Sequence, residues 1–432
     1  MKVLWLCNIV PPMVAKQLHI DTTVKEGWIT GTLNRLIKEQ QSPLQLGICM
    51  PVKDMAETFV KNTVKVETLD IDCYRFREDI SCPWVYDDSL EGIFKEIIED
   101  FKPDIIHSFG TEFPHTLACA KALKDPKRML ISMQGVMVDY ADQYCKGLPE
   151  KVINGCTFRD FLKKDNIAKQ KQKFDLRADM EIKAVKCAGH IAGRTQFDKD
   201  AAFKINDKVK YHHLFETLRP EFYEGQWNSD RLKDHTLFVS QCDYPIKGFH
   251  VLLEALSLIL KEYPDTKINI AGNGITGYVT LKQKIKIGTY GKYCRSLMKK
   301  YNLLDKINIL GMLDAGKMKQ QYINSSVYVC PSILENSPNS MGEAMCLGIP
   351  VVASRSGGVP SMVEDEKEAL LFDQADSVSL AKQVIRLWKE EGLANSISQA
   401  AKIRGMKNHN PEENYNRLLE IYKDIFAENE SK

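Results

Sequence analysis

The sequence predicts an α/β protein made of two Rossmann-like domains. Short apolar runs of strand length alternate with longer helical patterns. The alternation stops between Ala202 and Asp234 and then restarts. The chain has 432 residues, which at roughly 100–200 residues per domain is the length of two domains or three.

The elements justify that class in order. Lys2 to Cys7 is a continuous buried-strand run, and Trp28 to Glu39 reads as the helix after it. Leu44 to Met50 is a second strand, Phe94 to Phe101 a helix, Asp104 to Ser108 a strand, and Leu117 to Lys124 a helix. Met129 to Met133 and His190 to Ala192 complete the first set. Strands separated by helices make βαβ units and a parallel sheet. After the break, Leu237 to Val239, Lys267 to Ala271, Ile307 to Leu310, Val327 to Cys330 and Val351 to Ala353 read as strands, with Phe249 to Leu260 a helix. This predicts an N-terminal domain over 1–205, a linker over 206–232 and a C-terminal domain over 233–409. Asn410-Pro411-Glu412-Glu413 is a helix start, and Tyr415, Leu418, Leu419 and Tyr422 then share one face. That last helix, about 410–428, is expected to pack back on the N-terminal domain.

Composition removes several classes. Hydrophobic residues at 44% and charged residues at 27% are globular values, which excludes a disordered, collagenous or coiled-coil chain. Lys+Arg number 59 against 57 Asp+Glu, so no strongly basic domain marks a nucleic-acid binder. No apolar run approaches the ~20 residues that span a bilayer. The apolar start, Met1 to Asn8, is too short before Pro11-Pro12 for a signal-peptide core. Twelve cysteines without a C-x-x-C pair predict reduced thiols in the cytoplasm, with neither a disulfide framework nor a zinc site.

The segment richest in chemistry runs VYVCPSILENSPNSMGEAMCLGIPVVASRSGG, from Val327 to Gly358. A buried strand ends at Pro331-Ser332, and a polar loop from Glu335 to Asn339 follows. Ser340 can cap a helix to Leu347, Gly348 suits the left-handed residue after it, and Pro350 blocks further helix. The next strand and the Gly357-Gly358 turn come at once. Ligands of open α/β sheets bind at such a loop, beyond the carboxyl end of a parallel strand. A helix N-terminus there suits a phosphate. Glu343, in the first turn, fits better as an acceptor for a ribose diol, and Glu335 stands where an attached sugar would lie. Ser340-x-x-Glu343 equally fits a capping box, and local spacing leaves both readings open.

The spacing Glu335-x7-Glu343 in the context P-S-x-x-E-N-S-P-N-S-x-x-E-A-M-x-x-G-I-P-V-V-A-S resembles the E-x7-E segment of retaining nucleotide-sugar glycosyltransferases of family 4, which have the GT-B fold. Lys247-Gly248 before Leu252-Leu253, Gly272-Asn273-Gly274 after a strand, Ile309-Leu310-Gly311 and Gly357-Gly358-Val359-Pro360 follow in family order. The resemblance implies a donor/acceptor cleft between the two domains. It implies that Glu343 holds the donor ribose, Glu335 contacts the transferred sugar, and Lys247 neutralises the diphosphate. The backbone amides of Ser340, Met341 and Gly342 would face that diphosphate, with Asn339 and Gly274 completing the donor set. It further implies a metal-independent hexosyltransferase without cofactor, retaining configuration by front-face attack. Its donor would be a UDP-sugar and its acceptor a glycan or a lipid-linked glycan of cell-surface polysaccharide synthesis.

The chain departs from that pattern twice. The family's G-R-L arginine before the lysine is absent from Val239 to Lys247, leaving Arg194 and Arg219 as possible replacements, though both fit an anchor at the domain seam better. The family's N-domain His is replaced by Gln134, which can hydrogen-bond a hydroxyl but is no base. Its Q-G context resembles bacterial capsule and exopolysaccharide members. Thr111, Glu112 and Trp28 are expected on the acceptor side, whereas His115 reads better as a packing residue. Asp70-x-Asp72 and Asp198-x-Asp200 match the D-x-D of metal-dependent transferases but follow no Rossmann strand, so both read as incidental. Arg159 to Lys186 holds nine basic and five acidic residues with Phe158, Phe161, Leu162 and Phe174 interleaved. It reads as a solvated helical pair or as peripheral contact with the inner membrane face. An NAD-linked oxidoreductase needs G-x-G-x-x-G after a strand, which the first strands of both halves lack. A binding-only member of the same fold is the alternative to an enzyme.

Overall fold

The computed structural model describes residues 1–20, 27–39, 44–276 and 285–430. The chain forms two compact units, Met1–Val138 with Phe174–Leu218 and His409–Lys432, and Asp139–Lys173 with Arg219–Asn408.

The first unit is built on an eight-stranded sheet: β1 Lys2–Leu6, β2 Gln45–Val52, β3 Phe59–Val66, β4 Leu69–Arg77, β5 Ile105–Phe109, β6 Met129–Ser132, β7 His190–Gly193 and β8 Lys210–His213. Their order is β3-β4-β2-β1-β5-β6-β7-β8, parallel except for the β3–β4 hairpin. Central strands are apolar on both faces because helices cover both, as parallel sheets require. The helix Pro411–Glu430 lays Tyr415, Leu418, Ile421, Tyr422 and Ile425 into the layer that also holds Val3, Trp5 and Ile105. The Trp5 indole N–H donates to the Tyr422 hydroxyl at 2.9 Å.

The second unit has a six-stranded parallel sheet: β9 Thr236–Val239, β10 Lys267–Ala271, β11 Ile307–Gly311, β12 Val327–Cys330, β13 Val351–Ser354 and β14 Leu370–Phe372. Its order, β11-β10-β9-β12-β13-β14, is the doubly wound order 3-2-1-4-5-6, which reverses between β9 and β12. Val327 pairs with Leu237 and Tyr328 with Phe238 across that reversal. In doubly wound sheets ligands bind beyond the carboxyl ends of the strands at such a reversal.

The structure corrects two sequence expectations about domain bounds. The stretch read as a linker over 206–232 is divided: Lys210–His213 is edge strand β8 of the first sheet, and Arg219 onward belongs to the second unit. Its two histidines hid the strand; His212 is buried against His190, ring nitrogens 3.0 Å apart. Residues 139–173, read as N-terminal, belong to the second unit, with the helix Ile167–Lys186 running from one unit into the other. Asp70 and Asp72 lie in strand β4, and Asp72 accepts a hydrogen bond from Thr63 across the hairpin at 2.7 Å. Asp198 is the buried N3 residue of a Thr195 capping box at the start of the helix Gln196–Ile205. No helix among the described residues is long and apolar enough to cross a membrane.

Candidate active site

The two loops at the β9/β12 reversal are locked together before any side chain reaches out. Gly248 sits at φ 67°, and a Cβ there would come within 1.9 Å of the Pro331 carbonyl oxygen, so only glycine lets the β9 loop pass. The Ile333 N–H donates to the Ile246 carbonyl at 2.7 Å. Lys247 thereby stands opposite Glu335: its Nζ donates to Oε1 at 2.7 Å, and the Ser332 hydroxyl donates to the same oxygen at 2.7 Å. Burial disfavours the Lys247 ammonium, but the facing Glu335 carboxylate together with Tyr244 and Tyr140 holds the pKa well above the ordinary value. From behind, the Gly358 N–H bonds the Glu335 carbonyl at 2.9 Å, and a Cβ on Gly357 would meet that carbonyl at 2.1 Å. Glu335 is therefore fixed by its backbone and by both of its side-chain donors.

The helix Asn339–Leu347 follows at once, with Gly348 left-handed at its end. Its N-cap is Pro338 and no side chain caps it, so Ser340 is a helical residue and not the expected cap. Its hydroxyl accepts from Tyr328 at 2.8 Å. The Gly342 N–H makes the first intrahelical bond to the Pro338 carbonyl at 3.3 Å, and Met341 donates to the same oxygen at 2.9 Å. Two of the expected amides, those of Met341 and Gly342, are therefore engaged by the Pro338 carbonyl.

Glu343 takes no part in a capping box. Its Oε1 accepts from Arg219 at 2.9 Å and its Oε2 from the Tyr322 hydroxyl at 3.2 Å; Tyr322 also lies 2.9 Å from the Ser340 carbonyl. Burial raises the Glu343 pKa, and Arg219 opposes that shift. Tyr322 and Arg219 were missed as partners of Glu343, since neither lies in a motif and Arg219 is 124 positions away.

Lys247, Glu335 and the helix that bears Glu343 thus follow the carboxyl ends of the central strands β9 and β12. Gly274 follows β10, the neighbour of β9, with Ile309 against it.

The expected acceptor-side residues belong to the first unit. Thr111 donates to Glu181, which also accepts from the Val138 N–H at 3.1 Å and whose pKa burial pushes up to about 7. Glu112 accepts from the Gly135 N–H at 2.7 Å, and burial raises its pKa. Gln134 donates to Glu216 at 2.6 Å, and Arg194 pairs with the other oxygen of Glu216 at 2.8 Å. Arg194 is therefore spent inside the first unit and does not replace the missing diphosphate arginine. Gln134, Arg194 and Glu216 border a cavity of about 30 Å³ with His107 and Ser132, room for about one water. His115 bonds Glu78 at 2.5 Å in the core. Trp28 falls in the first turn of the helix Gly27–Ile37, and its side chain lies outside the described residues.

Residues 221–404 match the family description "Glycosyl transferases group 1". Over those residues the chain is similar to group 1 glycosyl transferases. The chain is 27% identical over 144 residues to the putative colanic acid biosynthesis glycosyltransferase WcaL of Escherichia coli, and 26% identical over 126 residues to the amylovoran biosynthesis glycosyltransferase AmsK of Erwinia amylovora. These matches cover 32% and 28% of this chain, and about a third of each relative's length (32% and 31%). Sucrose-phosphate synthase from Thermosynechococcus elongatus aligns over 99% of this chain and 100% of its own, with a TM-score of 0.69 at 15% identity. Anabaena Alr3699/HepE in complex with UDP-glucose aligns over 98% of this chain and 100% of its own, with a TM-score of 0.64 at 13% identity. The two parallel-sheet units are those of the GT-B fold.

Proposed function

We propose that this chain is a cytoplasmic, metal-independent, retaining glycosyltransferase. It moves a hexose from a nucleotide-diphosphate sugar, a UDP-sugar, to a glycan or lipid-linked glycan of a cell-surface polysaccharide. The observation that carries this is the pairing of Lys247 with Glu335 at the β9/β12 reversal, one loop before the helix that bears Glu343.

Each group has a distinct task. The Lys247 ammonium and the N-terminal turn of the helix Asn339–Leu347 meet the diphosphate, and their attraction grows as the leaving group gains charge. Glu335 takes hydroxyls of the transferred sugar and keeps Lys247 in place. Glu343 accepts from the ribose diol, for which Arg219 must yield at least one carboxylate lone pair. The bond from C1 to the diphosphate oxygen breaks while the acceptor oxygen bonds C1 on the same face. The acceptor's proton passes to the departing phosphate oxygen, so no protein base is required. Gln134, which cannot serve as one, fits that scheme.

The test is an NMR assay of the product's anomeric configuration with UDP-sugars and a glycan acceptor, run with and without chelator. A product of retained configuration, formed equally in both, is the expected result. Inversion, or loss of turnover restored by Mn²⁺, overturns the proposal, and saturable donor binding without any turnover indicates a binding protein.

A further inference from the structure

We infer that the second unit docks on the surface of an anionic phospholipid bilayer, through a face built from the short helix Phe158–Lys163 and the helix Thr289–Lys300. Phe158, Phe161 and Leu162 share one side of the short helix at i, i+3, i+4 and are 62%, 72% and 64% exposed. Three large apolar side chains held out together in this way mark an interaction surface.

The exposure is built in, because the opposite side of the same helix is firmly anchored. Thr157 and Asp160 close a capping box, and the Thr157 hydroxyl also donates to the Ile287 carbonyl at 2.8 Å. The buried Asp160 carboxylate accepts from the Thr289 N–H at 2.7 Å and its hydroxyl at 2.5 Å, at the start of the longer helix. The polar residues face inward and the phenylalanines outward, the reverse of a packed helix.

Charge specifies the occupant. Residues 151–173 hold seven Lys or Arg against two Asp, and both Asp are ion-paired, to Arg159 and to Arg159 and Lys173. Residues 285–300 hold five Lys or Arg and no acid. Lys292, Arg295 and Lys299 line one side of an open cavity of about 560 Å³, and Phe158, Ile285 and Ile287 line the other. Cations at headgroup height beside a protruding apolar wedge match an anionic lipid surface, whereas a soluble anionic polymer would use the cations alone. The inference rests on this face only and does not depend on the donor reading.

The test is sedimentation of the full chain with vesicles of phosphatidylcholine alone and of phosphatidylcholine with phosphatidylglycerol. Binding is expected to the anionic vesicles only. Lys292→Glu with Lys299→Glu should weaken it more than about tenfold, and Phe161→Ser with Leu162→Ser should abolish the part that survives high salt. Lys382→Glu, elsewhere on the same unit, should leave it unchanged. Equal binding by all variants overturns the inference. So does binding that polyphosphate competes away fully and that ignores the Ser pair, which identifies an anionic polymer. Should a double variant fail to fold, Phe161→Trp decides: brominated lipid must quench its fluorescence, and no quenching overturns the inference.

Discussion

The Glu343 carboxylate is held by Arg219, 2.9 Å away, and by Tyr322, while its own helix begins at Pro338 without any side-chain cap. A carboxylate buried in the first turn of a helix and partnered by a residue outside it is placed for recognition. The ion pair also leaves neither buried charge without a partner when no ligand is bound.

Glu343→Gln should therefore weaken both donor and free nucleotide diphosphate. Losing a charge-assisted hydrogen bond costs roughly 1.5–3 kcal/mol, about 10- to 150-fold in affinity. Calorimetric titration checks this. Unchanged affinity would remove the ribose from Glu343.

Glu335→Gln should separate binding from turnover. Free nucleotide has no sugar for Glu335 to touch, so its affinity should hold within about threefold while transfer falls by at least about 100-fold. Parallel titration and rate measurement distinguish that result from a general loss of the site.

Gly248 and Gly392 offer a matched pair. Both have positive φ, 67° and 78°, but a Cβ on Gly248 collides with the Pro331 carbonyl whereas one on Gly392 meets nothing within 4 Å. Gly392→Ala should cost about 1 kcal/mol from backbone strain alone, and Gly248→Ala clearly more, with loss of donor binding. Equal melting temperatures for the two variants would mean the loops at the β9/β12 reversal are not in tight contact.

How much of this was legible beforehand follows from where the determinants sit. Strands β1, β9 and β12 are unbroken apolar runs, and burial on both faces writes itself into sequence. The β3–β4 hairpin and β8 are edge elements, half polar, and Tyr211-His212-His213 carries no strand pattern. Glu335 and Glu343 were legible because strand, loop and helix follow one another within one short segment. Their partners were not. Arg219 is joined to Glu343 only by the fold, and a proline N-cap has no side-chain signature, so Ser340 reads as the cap from sequence.

Acid should destabilise the first unit through His107. Burial depresses its pKa to about 3, and its ring nitrogens lie 2.6 Å from the Tyr422 hydroxyl and 2.7 Å from that of Ser132. The unfolded chain takes up this proton near pH 6.5 and the folded chain near 3. Its contribution is thus complete above pH 6.5 and is lost as pH falls toward 3, at up to ~1.4 kcal/mol per pH unit. His107→Gln should flatten the dependence of the denaturant midpoint on pH over that window, and an unchanged slope would contradict a neutral buried imidazole.

The hydrogen bond from Trp5 to Tyr422 joins residues 417 positions apart. During synthesis the first strand leaves the ribosome long before its covering helix exists. Val3, Trp5 and Ile105 then await an apolar partner translated much later. The second unit is likewise interrupted, since its residues 139–173 precede a return to the first. Neither unit can complete its fold until its separate segments have all been made, so each depends on contacts of long sequence separation.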